Sequence, residues 1–295
     1  MANIYFEKGD YFKTIDCGLN ATKLNGNFLK AFVTLGKAYL EVEDYDNVIN
    51  SYNRVIQLRK RSVEEGKIKS KVNRISYTTS DLTQTYFGLG SAYYFKNDLN
   101  KAIYYFDECL KIDSNTAAAY LGLSLVYRGK KDTSKVLNSL SKAVHIDTSL
   151  WQFYFDIGEI YLNQVKYKQA IENYTNYLDH DSTNSKVLYK ISLSYYNENN
   201  LDSSKRFLEK LLLIDSTFSD GYNLIGAIYL KNKNFNLAEE YFLKAIKYNS
   251  QDDGFYFNLG KVYLDMGKKE EAIPYIQESA KLDYKPARDW LEKNK

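Results

Sequence analysis

Tyr222-Asn-Leu-Ile225-Gly226-Ala-Ile-Tyr229-Leu-Lys-Asn-Lys-Asn-Phe235-Asn-Leu-Ala238-Glu-Glu-Tyr-Phe242-Leu-Lys-Ala245 is the stretch that decides the fold. Its apolar residues fall three or four apart as far as Tyr229, break at Lys231-Asn-Lys-Asn, and resume the same spacing from Phe235. Two amphipathic helices joined by a short polar turn have this pattern. Working outward from Tyr229, tyrosine recurs at Tyr5, Tyr39, Tyr93, Tyr127, Tyr161, Tyr195 and Tyr263, always 34 residues apart except for the 54 between Tyr39 and Tyr93. Three residues earlier stands a small residue: Ala2, Gly36, Gly90, Ser124, Gly158, Ser192, Gly226 and Gly260. Nine residues later stands a small or β-branched one: Thr14, Val48, Ala102, Val136, Ala170, Ser204, Ala238 and Ala272. A period held in phase this often predicts a chain of helical hairpins, none able to cover its own apolar stripe, so that each must stack on the next. Glycine inside a helix costs about 1 kcal/mol relative to alanine, so its return at one phase predicts a close backbone approach between the two helices there.

Eight such units and a 20-residue excess between Tyr39 and Tyr93 account for nearly all of the 295 residues, which leaves no room for a separate domain. The chain is 44% hydrophobic, with 29 Tyr, 15 Phe and 2 Trp, which is enough to bury a core and excludes disorder as the main state. Only Pro274 and Pro286 interrupt it, a scarcity that favours helix because proline breaks helix interiors. The 40 basic and 37 acidic residues leave a net charge of +3, too small for the whole surface to attract nucleic acid or membrane. Cys17 and Cys109 have neither disulfide-framework nor metal-site spacing and read as reduced thiols. No apolar run is long enough to span a membrane, and the opening residues do not read as a signal peptide. The expected location is therefore cytoplasmic, with a periplasmic or exported protein as the alternative if a leader has been removed.

With Tyr86-Phe-Gly-Leu-Gly-Ser-Ala-Tyr93 followed by Ala102, Phe106 and Cys109, the unit resembles the tetratricopeptide repeat, or TPR. The resemblance implies an all-α fold, a right-handed α-solenoid of antiparallel helix pairs. About seven full 34-residue units would follow a truncated first one that begins partway through its first helix. Residues 1–284 are then expected to form a single domain, and 285–295 a capping helix started by Pro286, with Ala287, Trp290 and Leu291 as its apolar edge. The proline usual at the end of the family's second helix is missing, replaced by pairs such as Asp113-Ser114 and Asp147-Thr148, which can cap the next helix or form the turn.

Catalytic chemistry has little to work with. His180 shares a phase with Leu58, Ile112, Ile146, Ile214 and Leu282, so a partly buried core imidazole is expected; His145 is expected at the surface. Asp156 and Glu159 are three apart and share a helix face, but no third group nearby would orient a substrate. No phosphate-binding loop or paired cysteine motif occurs, and no enzyme activity, cofactor or metal is expected.

The resemblance places the first helices on a concave face, with the positions three before, one after and four after the small residue looking inward. The candidate partner-binding residues are Phe87, Ser91, Tyr94, Leu121, Leu125, Arg128, Phe155, Glu159, Tyr189, Tyr196, Asn223, Phe257 and Lys261, an aromatic and aliphatic groove with scattered charges. The lysine, asparagine and arginine clamp that some relatives use for an acidic C-terminus is not found. A scaffold binding an extended or helical peptide of a protein partner is the reading that follows. A nucleic-acid-associated protein is the rival, through the insertion at about 60–80, where Arg59, Lys60, Arg61, Lys67, Lys69, Lys71 and Arg74 against Glu64 and Glu65 give +5, so that the rest of the chain sums to −2. An enzyme with its site in the groove is a third reading.

Overall fold

A computed structural model describes residues 1–64 and 78–294, and among these the secondary structure is helical, with no strand. The chain divides into two compact units, Met1–Leu150 and Trp151–Lys295. The first contains α1 (Ala2–Glu7), α2 (Tyr11–Leu24), α3 (Leu29–Glu41), α4 (Tyr45–Glu64), α5 (Thr79–Phe95), α6 (Leu99–Ile112), α7 (Ala117–Gly129) and α8 (Thr133–Ile146). The second contains α9 (Phe153–Asn163), α10 (Tyr167–Leu178), α11 (Ser185–Asn197), α12 (Leu201–Ile214), α13 (Ser219–Lys231), α14 (Phe235–Tyr248), α15 (Asp253–Asp265), α16 (Lys269–Lys281) and α17 (Lys285–Lys293). Odd and even helices pair in sequence as hairpins, and each repeated tyrosine sits near the end of a first helix, as the period predicts.

Each hairpin turn is built by the same local chemistry. The fourth residue after the repeated tyrosine is left-handed: Gly9 and Gly267 in two turns, but Glu43, Asn97, Lys131, Val165, Asn199 and Lys233 in the others, at φ from 57 to 62°. That conformation ends the first helix, and the next residue's N–H returns to the tyrosine carbonyl, as from Asp98 to Tyr93 at 2.9 Å. Val165 is the costly member, because a β-branched side chain crowds its own backbone at positive φ. In most hairpins the second helix then starts on a side-chain cap, α10 and α16 with Lys166 and Lys268 at that position being exceptions. Asp10, Asp98, Asp132, Asn200 and Asn234 accept from the N–H three residues on.

The small residue works differently from the expected backbone approach. A methyl group at Gly36 would lie 2.5 Å from the Tyr52 ring, at Gly90 2.6 Å from Phe106, at Gly158 2.5 Å from Tyr174 and at Gly226 2.9 Å from Phe242. At these four positions glycine makes room for a large ring carried sixteen residues later by the second helix, and at Gly260 for the branched side chain of Ile276, 2.6 Å away. The ring then reaches the next hairpin: Tyr52 lies against Gly88, and Phe106 against Gly122. Where serine replaces glycine, at Ser124 and Ser192, the residue sixteen on is the smaller Leu140 or Leu208, also fully buried. Volume is thus exchanged between two fixed positions, as close packing requires.

The nine-later positions from Thr14 to Ala272 are all buried, none above 4% exposed. Asp113 and its counterparts form the turn between repeats rather than capping the next helix: Asp113 Oδ1 accepts from the Asn115 N–H at 3.0 Å, and Thr116 at the start of α7 makes no side-chain cap. α1 has only six residues, as the truncated unit implies, and α4 runs to Glu64, a helical extension into the insertion. Ala287, Trp290 and Leu291 of α17 pack on Ala272 and Ile276 of α16. His180 departs from its expected place. It is exposed and stacks on Trp151, with ring centroids 5.3 Å apart, because α10 ends at Leu178 and the chain turns away before the core phase is reached. His145 is exposed, as expected.

Candidate functional site

Within the first unit α3 packs on α5 and α5 on α7, and within the second α11 packs on α13 and α13 on α15, whereas successive second helices make no comparable contact among the described residues. The first helices therefore lie on the tighter side of each stack, which is its inner face, and all thirteen candidate residues fall on them.

The row three before the small residue is mostly spent on packing. Phe87 rests on Phe106 with centroids 5.9 Å apart, Phe155 on Tyr174 at 5.9 Å, Tyr189 on Phe218 at 5.5 Å and Phe257 on Tyr284 at 5.2 Å. Leu121 is half-buried in the same way. Asn223 is polar and accepts from the Asn258 amide at 2.9 Å. Burial pushes the Tyr189 hydroxyl up to about 12, with Asp220 and Asp252 adding to it. The other two rows are more open. Leu125 is 45% exposed, Arg128 and Lys261 are exposed, and Ser91, Tyr94 and Tyr196 are half-buried. Ammonium groups stand over two of the inner rings, Lys186 at 5.0 Å from the Phe155 centroid and Lys231 at 5.0 Å from Tyr196.

Glu159 is the best-defined polar group on this face. The Tyr174 hydroxyl donates to its Oε1, and Lys190 Nζ lies 2.9 Å from its Oε2. The ring that Gly158 admits thus delivers a hydroxyl to the inner surface, and that hydroxyl with one lysine from the next repeat occupies both oxygens of the carboxylate. A carboxylate held in this way is an anchored acceptor rather than a proton-transfer partner for Asp156. Lys190, Lys186, Lys231 and Asn258 were not among the sequence candidates. They stand two before, six before or five after the small residue, outside the three positions chosen, and the contact from one repeat to the next that places them has no signature within a single repeat.

Several tyrosines are shielded enough to set the response to alkali. Burial raises Tyr52, Tyr174 and Tyr263, the last two further through hydrogen bonds to Glu159 and Glu239, and it pushes the Cys109 thiol up to about 11. Unfolded tyrosine ionises near its ordinary value of about 10. Above that pH the unfolded chain binds fewer protons than the folded one, so stability falls as pH rises. Denaturation midpoints should be level through neutral pH, begin to decline near about 9 as the unfolded thiol ionises, and fall more steeply from about 10 up to and past about 12, the Tyr189 value; a level midpoint throughout would contradict these burials.

Of the basic insertion, Arg59 is half-buried, and Lys60 and Arg61 are exposed at the end of α4, with Lys60 4.0 Å from Glu64. Lys67, Lys69, Lys71 and Arg74 lie outside the described residues. Among the described residues no group of three or more histidine, cysteine or carboxylate side chains could hold a metal ion.

The tetratricopeptide repeat family model matches residues 29–61, 83–116, 185–218, 219–252 and 254–286, more than half of the chain, and the chain belongs to that family. Solved structures share the fold at low identity. A MamA protein is 19% identical, with a TM-score of 0.51 over 59% of this chain and 96% of that one. PilF of Pseudomonas aeruginosa is 15% identical, with a TM-score of 0.50 over 74% of this chain and 99% of that one. PilW, a type IV pilus biogenesis factor, is 15% identical, with a TM-score of 0.51 over 71% of this chain and 97% of that one.

Proposed function

We propose that this TPR protein is a non-enzymatic scaffold that binds an extended or helical segment of a protein partner along the inner faces of its stacked hairpins. The observation that carries this is the open part of the inner row in the first unit. Leu125 stands 45% exposed on α7 beside Arg128, with Ser91 and Tyr94 on the neighbouring α5. Exposed apolar surface with polar groups at its rim is what a partner buries, whereas Phe87 packed on Phe106 below gives this part of the first unit a fixed shape. The absence of a catalytic constellation in the sequence favours binding over chemistry. Among the described residues no helix is long and apolar enough to cross a membrane, and an aqueous compartment, the cytoplasm in our reading, is where such a partner would be met.

The test compares the chains captured by the intact protein with those captured by Ser91→Glu with Leu125→Asp, and by an outer-face control, Tyr104→Ser with Leu213→Ser, which alters exposed residues of second helices. The inner pair should cost the captured partner about 2 kcal/mol or more in a titration, leaving helix content unchanged, while the control binds normally. Partners kept by the inner variant and lost by the control would move the site to the second helices. Nucleic acid captured instead, with affinity falling steeply in salt, would favour the insertion.

A further inference from the structure

Asn25-Gly26 is the one Asn–Gly pair in the sequence, and it lies in the turn between α2 and α3 rather than inside a helix. Asn25, Gly26 and Asn27 are all exposed. The turn belongs to a series found at the junctions between repeats. Asn25 Oδ1 accepts from the Asn27 N–H at 3.0 Å, as Asp113 does from Asn115 at 3.0 Å, Asp147 from Ser149 at 2.9 Å, Asp215 from Thr217 at 3.0 Å and Asn249 from Gln251 at 3.2 Å. The junction asks for one side-chain oxygen at this phase and accepts either an amide or a carboxylate.

Two backbone donors at this junction are aimed where charge develops if the Gly26 nitrogen attacks the Asn25 side chain. The Asn25 backbone carbonyl accepts from the Phe28 N–H at 2.9 Å, which draws electron density from the peptide that contains the Gly26 nitrogen and makes its N–H more acidic. The Asn27 N–H on Oδ1 stabilises the oxyanion of the tetrahedral adduct. Gly26 has no side chain to screen the nucleophile, and the Arg54 guanidinium holds its carbonyl at 3.2 Å.

We propose that Asn25 is a site of spontaneous deamidation, driven by the unscreened Gly26 nitrogen within this exposed turn. Solvent base removes the Gly26 N–H proton; the nitrogen forms a bond to Asn25 Cγ; the Cγ–Nδ2 bond breaks; and ammonia leaves with a proton from water. Water then opens the succinimide. Cleavage at the Cγ side gives aspartate, and cleavage at the backbone carbonyl gives isoaspartate. No oxidant is needed. Aspartate restores the junction already present at Asp113, Asp147 and Asp215, whereas isoaspartate lengthens the backbone by one methylene and withdraws the Asn27 donor. Either product lowers the net charge by one, next to a junction that Arg54 already holds.

The test is incubation of the full chain in warm, mildly alkaline buffer, followed by peptide mass mapping with chromatographic separation of the two products. Asn249, at the same phase but followed by Ser250, is the internal control. Asn25 should convert well ahead of Asn249, to both products, and Gly26→Val should remove most of the conversion. A Cβ at 26 meets only the Thr22 carbonyl oxygen, at 3.9 Å, and residue 26 is exposed, so this variant should fold, with circular dichroism as the check. Asn25→Asp should melt with the unmodified protein. Conversion at Asn25 no faster than at Asn249, or undiminished in Gly26→Val, would overturn the proposal, and an Asn25→Asp variant of lowered midpoint would overturn the interchangeability of the turn.

Discussion

Phe106→Ala should destabilise the protein by about 3–5 kcal/mol, the largest loss expected from any single truncation here. The ring is 2% exposed and stands between Gly90 of its own hairpin and Gly122 of the next, so its removal opens a cavity lined by two helix backbones that cannot collapse. It also takes away the floor on which Phe87 rests and the contact that joins α6 to α7. Chemical denaturation followed by circular dichroism reads the loss. A cost below about 1 kcal/mol would mean that the helices close over the gap and that the ring is not the element joining one repeat to the next.

The second large effect is the reverse change. Gly90→Ser places a side chain 2.6 Å from the Phe106 ring and should cost about 1–3 kcal/mol through overpacking. Phe106→Leu alone leaves a smaller gap and should cost about 1–2 kcal/mol. Combined, the two substitutions reproduce the serine-and-leucine pairing of Ser124 with Leu140 and of Ser192 with Leu208, and the double variant should be more stable than the sum of the singles by at least about 1 kcal/mol. Additive losses would show that the two positions do not share one volume.

Much of this was legible from the residues themselves. The 34-residue phase located the hairpins, the truncated first helix and the buried row from Thr14 to Ala272, because helix periodicity and burial are local consequences of side-chain type. What the glycines do was harder to see. Close backbone approach and accommodation of a ring leave the same residue at the same phase, and only the partner sixteen positions on, read together with its neighbour in the next repeat, separates the two. His180 failed for a related reason: its phase is apolar elsewhere, but phase has meaning only while the helix continues, and α10 stops two residues short. On the inner face, the three candidate rows were found on the first helices, yet one row proved mostly structural and Lys190 was missed. Both outcomes depend on contacts between repeats, which a single unit does not encode.

The central claim is that a protein partner lies along the inner faces, and oxidative footprinting of tyrosine side chains tests it most directly, since the chain carries 29 of them. Tyr94 on α5 and Tyr196 on α11 report on the inner rows, while Tyr104 on α6 and Tyr248 on α14, 56% and 40% exposed, report on the second helices. Adding the captured partner should slow labelling of Tyr94, Tyr196 or both, and leave Tyr104 and Tyr248 unchanged. Protection of Tyr104 and Tyr248 with no change at Tyr94 and Tyr196 would contradict the account.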